Sequence, residues 1–155
     1  QGVCIFLGSG DPAYERFLTE TSACFENLVY LNGYSDACSS ALFANGDLFL
    51  MPSSYEPCGI SQMLAMRDGQ PCVVHRIGGL KDTIVDGVNG FSFGGDTVEN
   101  QVDQFVLACL RAIAIQQRDP VAWQRICQKA SEARFEWDDT VHQYIRKLYR
   151  PPSGW

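Results

Sequence analysis

The sequence predicts an α/β fold with a parallel sheet flanked by helices. Short apolar runs alternate with helix-compatible segments from Val3 to Phe93, which is the pattern of βαβ units. Turn residues, mostly glycine and asparagine, separate these segments. We expect one sheet of about five or six strands. Its first four strands are expected to end near Leu7, Leu31, Met51 and His75.

The first strand and helix have clear boundaries in the sequence. Val3–Leu7 is an apolar run closed by Gly8-Ser9-Gly10, which is typical of a buried strand before a turn. Asp11-Pro12 then supplies an N-cap and a first-turn proline, so a helix is predicted to about Cys24. Leu28–Leu31 is the second predicted strand.

The next segments repeat this order. Ser35 or Asp36 is a candidate N-cap for a helix that runs to about Ala44. A further helix is predicted over Ile60–Arg67 and ends before Asp68-Gly69. The remaining predicted strands are Leu48–Met51, Pro71–His75 and Gly90–Phe93.

The last third of the chain is predicted to be helical only. Asp96 and Glu99 have the spacing of a capping box and are expected to start the first of three helices. Asp119-Pro120 is expected to start the second and Asp138-Asp139 the third. The apolar residues of the third helix are expected to point inward: Val141, Tyr144, Ile145, Leu148 and Tyr149.

Composition and charge exclude several classes of protein. The 155 residues carry a formal net charge of −6 and no basic block, so we expect no nucleic-acid partner. No apolar run approaches the roughly 20 residues that cross a bilayer, so no membrane partner is expected. Because the chain starts at Gln1 without methionine, we expect a domain over residues 1–150 of a longer protein, with 151–155 as a tail.

Cysteine usage indicates free thiols in a reducing compartment. The chain has seven cysteines and no Cys-x-x-Cys pair, and it has only two histidines. We therefore expect no metal site and no cofactor. The expected location is therefore a reducing compartment.

Gly8-x-Gly10-x-x-Ala13 resembles a dinucleotide-binding fingerprint between a strand and a helix. That fingerprint needs an acidic residue at the end of the second strand, whereas Glu26 precedes the strand and Asn32 stands at its end. We therefore favour a plain tight turn over NAD binding. A glycine loop near a different nucleotide is the third interpretation.

Glu56 is the most informative candidate. It lies in a short loop after a predicted strand, four residues before a predicted helix start at Ile60. The N–H groups of a helix start bind phosphate, and a carboxylate beside them can hold sugar hydroxyls. The combination suggests a nucleotide-sugar site. The alternative is an exposed loop carboxylate that caps the helix.

Other loops are predicted to lie at the same edge of the sheet. Ligands of open α/β sheets bind at the carboxyl ends of the strands, where Glu56 is expected. Tyr34 is either an ordinary packing aromatic or a platform for a nucleobase. Gly78-Gly79 is either a simple turn or a place where backbone approaches a ligand closely. Together with Gly8 and Gly10, these residues are expected to outline a cleft.

Two motifs together resemble one known family. Ser53-Ser54-Tyr55-Glu56-Pro57-Cys58-Gly59-Ile60-Ser61-Gln62, followed by Gly78-Gly79-Leu80-Lys81-Asp82-Thr83, is similar to the C-terminal domain of bacterial glycogen synthases and plant starch synthases. The similarity extends to Leu7–Pro12, to Gly33–Asp36 and to the segment from Trp137 to Tyr149. It therefore covers nearly the whole chain in the family's order.

The resemblance implies a Rossmann-like domain, the C-terminal half of a GT-B glycosyltransferase. Such an enzyme is a retaining glucosyltransferase that moves glucose from ADP-glucose to an α-1,4-glucan acceptor. The location that the resemblance implies is the bacterial cytoplasm, with a plastid as the alternative. By the same resemblance, Glu56 contacts the donor sugar and Tyr34 stacks on adenine. The residues implied to hold the glucose and the diphosphate are Cys58, Gly59, Ile60 and Ser61.

The chain departs from the related transferases in two ways. Many of them have a second glutamate eight residues after the first, where this chain has Leu64, and this favours the glycogen synthase branch. The family's Arg and Lys that clamp the diphosphate, and its N-terminal domain, are expected to precede Gln1. Two other functions stay open: a GT-B transferase that uses a UDP- or GDP-sugar, and a non-catalytic nucleotide-sugar-binding module.

Overall fold

The structure, a computed structural model, describes residues 2–149 apart from the side chain of Asp139. Contacts divide the chain into two compact units, an N-terminal unit over residues 1–45 and a C-terminal unit over residues 46–155. The predicted tail over 151–155 lies outside the described residues, as do Gln1 and Arg150. The predicted domain over 1–150 stays a prediction.

The N-terminal unit is a two-stranded parallel sheet with two helices. Strand β1 (Cys4–Gly8) pairs in register with β2 (Leu28–Asn32). Helix α1 (Pro12–Cys24) connects the two strands, and α2 (Asp36–Asn45) follows β2. The predicted N-cap of α1 is confirmed, because the carboxylate of Asp11 accepts a 2.8 Å hydrogen bond from the N–H of Ala13.

The C-terminal unit begins with a three-stranded parallel sheet in the order β3-β4-β5. Its strands are β3 (Phe49–Met51), β4 (Cys72–His75) and β5 (Gly90–Phe93). Helix α3 (Ser61–Arg67) connects β3 to β4, and the short α4 (Leu80–Thr83) lies between β4 and β5. The described strands thus form two parallel sheets, where the sequence predicted one, because no ladder among residues 2–149 joins β1 or β2 to β3, β4 or β5.

Three α-helices and a π-helical turn complete the described part of the C-terminal unit. They are α5 (Val98–Arg118), α6 (Pro120–Glu132), α7 (Trp137–Tyr144) and the turn over Ile145–Tyr149. Within the described residues, no helix is both long and apolar enough to span a membrane.

The core of the C-terminal unit lies between its sheet and the helices α5 and α6. Phe91 is fully buried, and its ring stacks on Trp123 of α6 with 6.4 Å between the ring centroids. The other buried members of the cluster come from both sheet and helices: Val73, Phe93, Ala108, Ala112 and Ile126. This packing fixes the strand ends from which the β3–α3 and β4–α4 loops start.

Most predicted element boundaries agree with the structure. The first four strands end at or within one residue of the predicted positions, and Asp119 caps α6 through a 2.9 Å hydrogen bond from the N–H of Ala122. The predicted capping box of α5 is wrong. Thr97, in extended backbone, is the N-cap and accepts from the N–H of Asn100, so Asp96 and Glu99 do not pair as a box.

The prediction for the last helix is also wrong in two respects. Helix α7 begins at Trp137 and not after Asp138-Asp139. The apolar residues expected to point inward are exposed by about two fifths or more of their surface: Val141, Tyr144, Ile145, Leu148 and Tyr149. Helical periodicity identified a common face, but no described element of this unit covers that face.

Candidate functional site

The β3–α3 loop, which carries Glu56, is held at its start by a buried histidine. The Nδ1 atom of His75 lies 2.9 Å from the carbonyl oxygen of Ser53. Because a carbonyl only accepts, Nδ1 is the protonated nitrogen in this contact. The imidazole also stacks on Phe93 with 5.1 Å between the centroids, so the core of the sheet fixes its orientation.

The middle of the same loop lies directly against the glycine pair of the β4–α4 loop. The N–H of Gly79 donates a 3.1 Å hydrogen bond to the carbonyl oxygen of Glu56. A Cβ atom on Gly78 would overlap that oxygen, and one on Gly79 would overlap the carbonyl oxygen of Cys58. Gly78 also has a φ of +44°, a value that favours glycine. The pair therefore brings backbone of one loop against backbone of the other.

The end of the loop turns at Gly59 and packs on a buried amide. Gly59 has a φ of +76°, and a Cβ atom there would lie 2.5 Å from Oε1 of Gln62. Gln62 is fully buried in the first turn of α3. The glycine is required both by its backbone conformation and by the space that the carboxamide takes.

Between these fixed points, most of the loop is exposed to solvent, although Gly59 is buried. The side chain of Glu56 is partly exposed, and Cys58 and Ile60 are exposed. Among the described residues, no hydrogen-bond acceptor pairs with the backbone N–H groups of Cys58, Gly59 or Ile60. An accessible carboxylate and unpaired N–H donors thus lie within five residues of each other.

In the N-terminal unit, the glycine loop after β1 is occupied by a carboxylate of its own helix. The N–H of Gly10 donates a 2.8 Å hydrogen bond to Oε1 of Glu15, and the Asn32 amide donates a 3.3 Å bond to Oε2. The hydroxyl of Tyr30 donates to the carbonyl oxygen of Gly8 at 3.2 Å. Burial and the nearby Glu15 charge raise the pKa of Tyr30. The loop lines a cavity of about 240 Å³.

Tyr34 lies between β2 and α2 in the same unit and is 83% exposed. Its hydroxyl donates a short hydrogen bond to the carboxylate of Asp36. This bond, with the charge of Asp36, raises the pKa of the Tyr34 phenol. The side chain is thus largely exposed, with its hydroxyl held by Asp36.

The structure brings together the predicted site residues of the C-terminal unit. Glu56, Cys58, Gly59, Gly78 and Gly79 lie in two loops that touch, with Ile60 and Ser61 completing the first of them. Gly8, Gly10 and Tyr34 belong to the N-terminal unit. The ligand roles of all these residues stay predictions.

Sequence reasoning did not assign a role to the residues that hold these loops in place. His75, Gln62 and Glu15 each fix a loop through a side chain whose partner is set by the fold. The one signal in the sequence was Gln62 itself, three residues after Gly59, because a glutamine among the apolar residues of a short helix needs a hydrogen-bond partner if that face is buried.

Away from the predicted site, the described residues form a cavity but no cluster of metal-binding side chains. Within residues 2–149, no group of three or more histidine, cysteine, aspartate or glutamate side chains is placed to hold a metal ion. A cavity of about 320 Å³ lies at the start of α7 and is lined by Arg134, His142 and Arg146, among others. None of the predicted site residues lines it.

Comparison with known proteins then identifies the family. The family model described as glycosyl transferases group 1 matches residues 2–114, which include every predicted site residue. The chain belongs to this family. The fold-class prediction, an α/β domain of the GT-B glycosyltransferases, is confirmed at the same time.

Individual known proteins are similar to this chain along nearly its whole length. The glycogen synthase of Hydrogenobaculum sp. is 38% identical and covers 94% of this chain, which corresponds to 32% of the relative. The glycogen synthase of Rhodopirellula baltica is 36% identical and covers 96% of this chain and 31% of its own length. The chain therefore spans about a third of the length of these curated relatives.

A solved structure agrees with these relatives. The catalytic domain of starch synthase IV from Arabidopsis thaliana, bound to ADP and acarbose, superposes with a TM-score of 0.77 at 29% identity. The match covers 91% of this chain and 31% of that one.

Proposed function

We propose that this chain is the nucleotide-sugar-binding part of a retaining glucosyltransferase that extends α-1,4-glucan from ADP-glucose. One observation carries the proposal: the Glu56 loop is held at its start, middle and end, while its carboxylate is partly exposed and the N–H groups of Cys58, Gly59 and Ile60 have no partner among the described residues. The similarity to glycogen synthases, and to a starch synthase with ADP bound, supports glucose as the sugar and ADP as the carrier.

In this proposal Glu56 orients the donor glucose. A carboxylate accepts hydrogen bonds from sugar hydroxyls, and charged acceptors form stronger bonds than neutral ones. The backbone of Glu56 is anchored by Gly79, so its side chain starts from a fixed point. A group aimed in advance loses less entropy on binding, which favours the geometry of transfer. Glu56 then acts by orienting the sugar, and the acceptor attacks from the side on which ADP leaves.

The diphosphate of the donor is held by backbone N–H groups. Those of Cys58, Gly59 and Ile60 are unpaired within the described residues, and the hydroxyl of Ser61 adds a fourth donor. Such donors stabilise the negative charge that grows on the leaving ADP. The resemblance assigns the larger, cationic share of this stabilisation to an Arg and a Lys outside this chain.

The adenine ring stacks on Tyr34 in this proposal, because the ring of Tyr34 is free on its faces. The glucan acceptor is bound by the rest of the longer enzyme. We place that enzyme in the bacterial cytoplasm, which agrees with its seven free thiols and with the bacterial relatives. No metal or other cofactor takes part in this scheme.

Titration calorimetry of the chain with ADP, ADP-glucose, UDP, GDP and NAD tests the proposal. We expect weak binding of ADP and ADP-glucose in preference to the others, since the N–H donors are present without a cationic clamp. Tighter binding of UDP or GDP would move the chain to a transferase with another donor. Preference for NAD would reassign the Gly8–Gly10 loop to dinucleotide binding.

The third possibility, a non-catalytic binding module, predicts the same titration but a different enzyme assay. If the full-length protein binds ADP-glucose and releases no ADP in the presence of glucan, the module interpretation replaces ours. Incorporation of labelled glucose into glucan with retention of the α-configuration would support the transferase.

A further inference from the structure

Gln62 is a fully buried polar residue, and only one of the two polar atoms of its side chain has a hydrogen-bond partner among the described residues. Its Nε2 donates a 3.3 Å hydrogen bond to Oγ1 of Thr83 in α4. Its Oε1 is buried and has no hydrogen-bond partner among the described residues. Buried polar atoms are usually paired, so an exception of this kind calls for an explanation.

Thr83 connects Gln62 to the glycine pair by hydrogen bonds. Its Oγ1 lies 3.1 Å from the carbonyl oxygen of Gly79 and 3.2 Å from that of Leu80. A hydroxyl has one proton to donate, so it bonds these carbonyls with its hydrogen and accepts the Gln62 amide with its oxygen. The result is a hydrogen-bonded path from Gln62 through Thr83 to Gly79.

The path closes into a ring at Glu56. The N–H of Gly79 donates to the carbonyl oxygen of Glu56 at 3.1 Å, and the chain from Glu56 to Gln62 completes the circuit. Inside this ring, the carboxamide of Gln62 packs against Gly59. The loop residues to which we assign a contact with the donor substrate lie between Glu56 and Ser61. They therefore belong to the stretch of backbone that forms one side of this ring.

Thr83 is also fixed from its other side. The side chain of Asn89 is buried, and its Nδ2 donates a 3.1 Å hydrogen bond to the carbonyl oxygen of Thr83. Its Oδ1 accepts a 2.7 Å bond from the N–H of Val85. Asn89 thus fixes the end of α4 in place. Gln62 in turn connects the Glu56 loop to this fixed end through Thr83.

The unpaired Oε1 indicates that the Gln62 amide serves to position the Glu56 loop and not to stabilise the fold. An apolar side chain of the same length would fill the space without burying an unpaired oxygen. Residues that lower stability in this way are typical of functional sites.

From this geometry we propose that Gln62 and Thr83 are a pair of positioning residues that hold Glu56 and the adjoining N–H donors in the conformation that binds the donor sugar. The inference rests on the proposed function for its ligand, but the ring of hydrogen bonds stands by itself. Neither residue touches the donor in this account; both act through Gly79 and Glu56.

Amide hydrogen exchange at Gly79, read by NMR on the whole chain, tests the ring without any ligand. Gln62→Met and Thr83→Val each remove one link at nearly constant volume, and Thr83→Ser keeps the hydroxyl as the matched control. We expect exchange at Gly79 to quicken by roughly fivefold to tenfold in the first two variants, the factor for one hydrogen bond. Thr83→Ser should exchange like the wild type, and the double variant should be no faster than the faster single one.

Affinity for ADP-glucose and for ADP tests the consequence for the site. We expect Gln62→Met and Thr83→Val to weaken ADP-glucose about fivefold more than ADP, because Glu56 is assigned to the sugar. The melting temperature of Gln62→Met should be unchanged or higher. Unchanged Gly79 exchange in both variants, or a Thr83→Ser variant as impaired as Thr83→Val, would overturn the positioning pair. If Gln62→Met does not fold, the two Thr83 variants decide the question.

The two proposals fail in different ways. If the wild type does not bind ADP-glucose, the proposed function fails. The exchange rate at Gly79 would still decide whether the ring of hydrogen bonds holds the Glu56 loop. Wild-type binding with equal losses for ADP and ADP-glucose in the variants would contradict the link to Glu56.

Discussion

The backbone N–H of Gly79 and the backbone carbonyl of Glu56 are joined by a 3.1 Å hydrogen bond. Gly79 is the residue before α4, and Glu56 lies in the loop before α3. Two successive βα loops are therefore tied main chain to main chain. This contact requires that Gly78 and Gly79 have no side chain. A Cβ atom on either residue would overlap a carbonyl oxygen of the Glu56 loop.

Gly79→Ala is expected to destabilise the C-terminal unit and to shift the Glu56 loop. Gly79 has a φ of −65°, so alanine is strained only by its overlap with the Cys58 carbonyl. Overpacking of this kind typically costs about 1–3 kcal/mol. Gly94→Ala is the matched control, because nothing lies within 4 Å of a Cβ atom there. Urea unfolding should show a change under about 0.5 kcal/mol for the control. Equal stability of the two variants would show that the loops separate without cost.

Glu56→Gln in the full-length enzyme is expected to lower kcat at least about tenfold. The variant keeps the shape of the side chain and loses a charged acceptor, worth about 1.5–3 kcal/mol. Folding should be little changed, because Glu56 is only partly buried. Glu99→Gln, at an exposed position of α5, is the control and should have wild-type turnover. A Glu56→Gln enzyme with unaltered kcat would mean that the site is misassigned.

The chain alone is expected to transfer no glucose to glucan. In the proposed function the acceptor is positioned by the rest of the enzyme, and positioning contributes about 7–11 kcal/mol to such reactions. A radiolabelled ADP-glucose assay with the isolated chain measures this. Glucan extension above background would show that both substrates are bound by these 155 residues.

Tyr34→Ala is expected to weaken ADP binding by about 1–3 kcal/mol, the usual contribution of one base stacked on an aromatic ring. Tyr34→Phe keeps the ring and removes the hydroxyl that bonds Asp36, so it should bind ADP nearly as well as the wild type. Calorimetry of the three proteins separates the contribution of the ring from that of the hydroxyl. Equal binding by the alanine variant would make Tyr34 an ordinary surface residue.

Cys58 and Cys72 are expected to differ strongly in their reaction with iodoacetamide at pH 8. Cys58 is exposed in the candidate site, whereas Cys72 is fully buried and its burial raises the pKa of its thiol well above the usual range. The thiolate is the reactive form, so Cys72 should be labelled only after unfolding. ADP-glucose should slow labelling of Cys58 and leave exposed Cys24 unaffected. Peptide mass spectrometry follows the three sites separately; equal slowing of Cys24 would contradict binding at the Glu56 loop.

The parts of the fold that could be predicted from the sequence are those set by neighbouring residues. An apolar run followed by a turn fixes where a strand ends, and this located Met51 and His75 correctly. Asp11 and Asp119 were recognised as N-caps because a proline follows each of them. At α5 the rule was insufficient: Asp96 and Thr97 are both good caps, and the backbone conformation at Thr97 decides between them.

The parts that could not be predicted depend on residues far apart in the sequence. Gln62 and Thr83 are 21 residues apart, and His75 is 22 residues from Ser53, whose carbonyl it contacts. Phe93, which stacks on His75, lies still farther from that loop. Periodicity showed that Tyr144 and Leu148 share a face with their neighbours, but it carries no information about what lies opposite. The candidate loop was therefore predictable, whereas its supports were not.

The carboxylate of Glu15 beside the Gly8–Gly10 turn determines which class of chemical group can bind at that turn. The N–H of Gly10 already donates to this negative charge, so an incoming phosphate would meet repulsion and an engaged donor. A hydroxyl-rich group has the opposite character, because it donates hydrogen bonds to the carboxylate and leaves the turn intact. The Gly8–Gly10 turn therefore favours a neutral, hydroxyl-rich group over a phosphate.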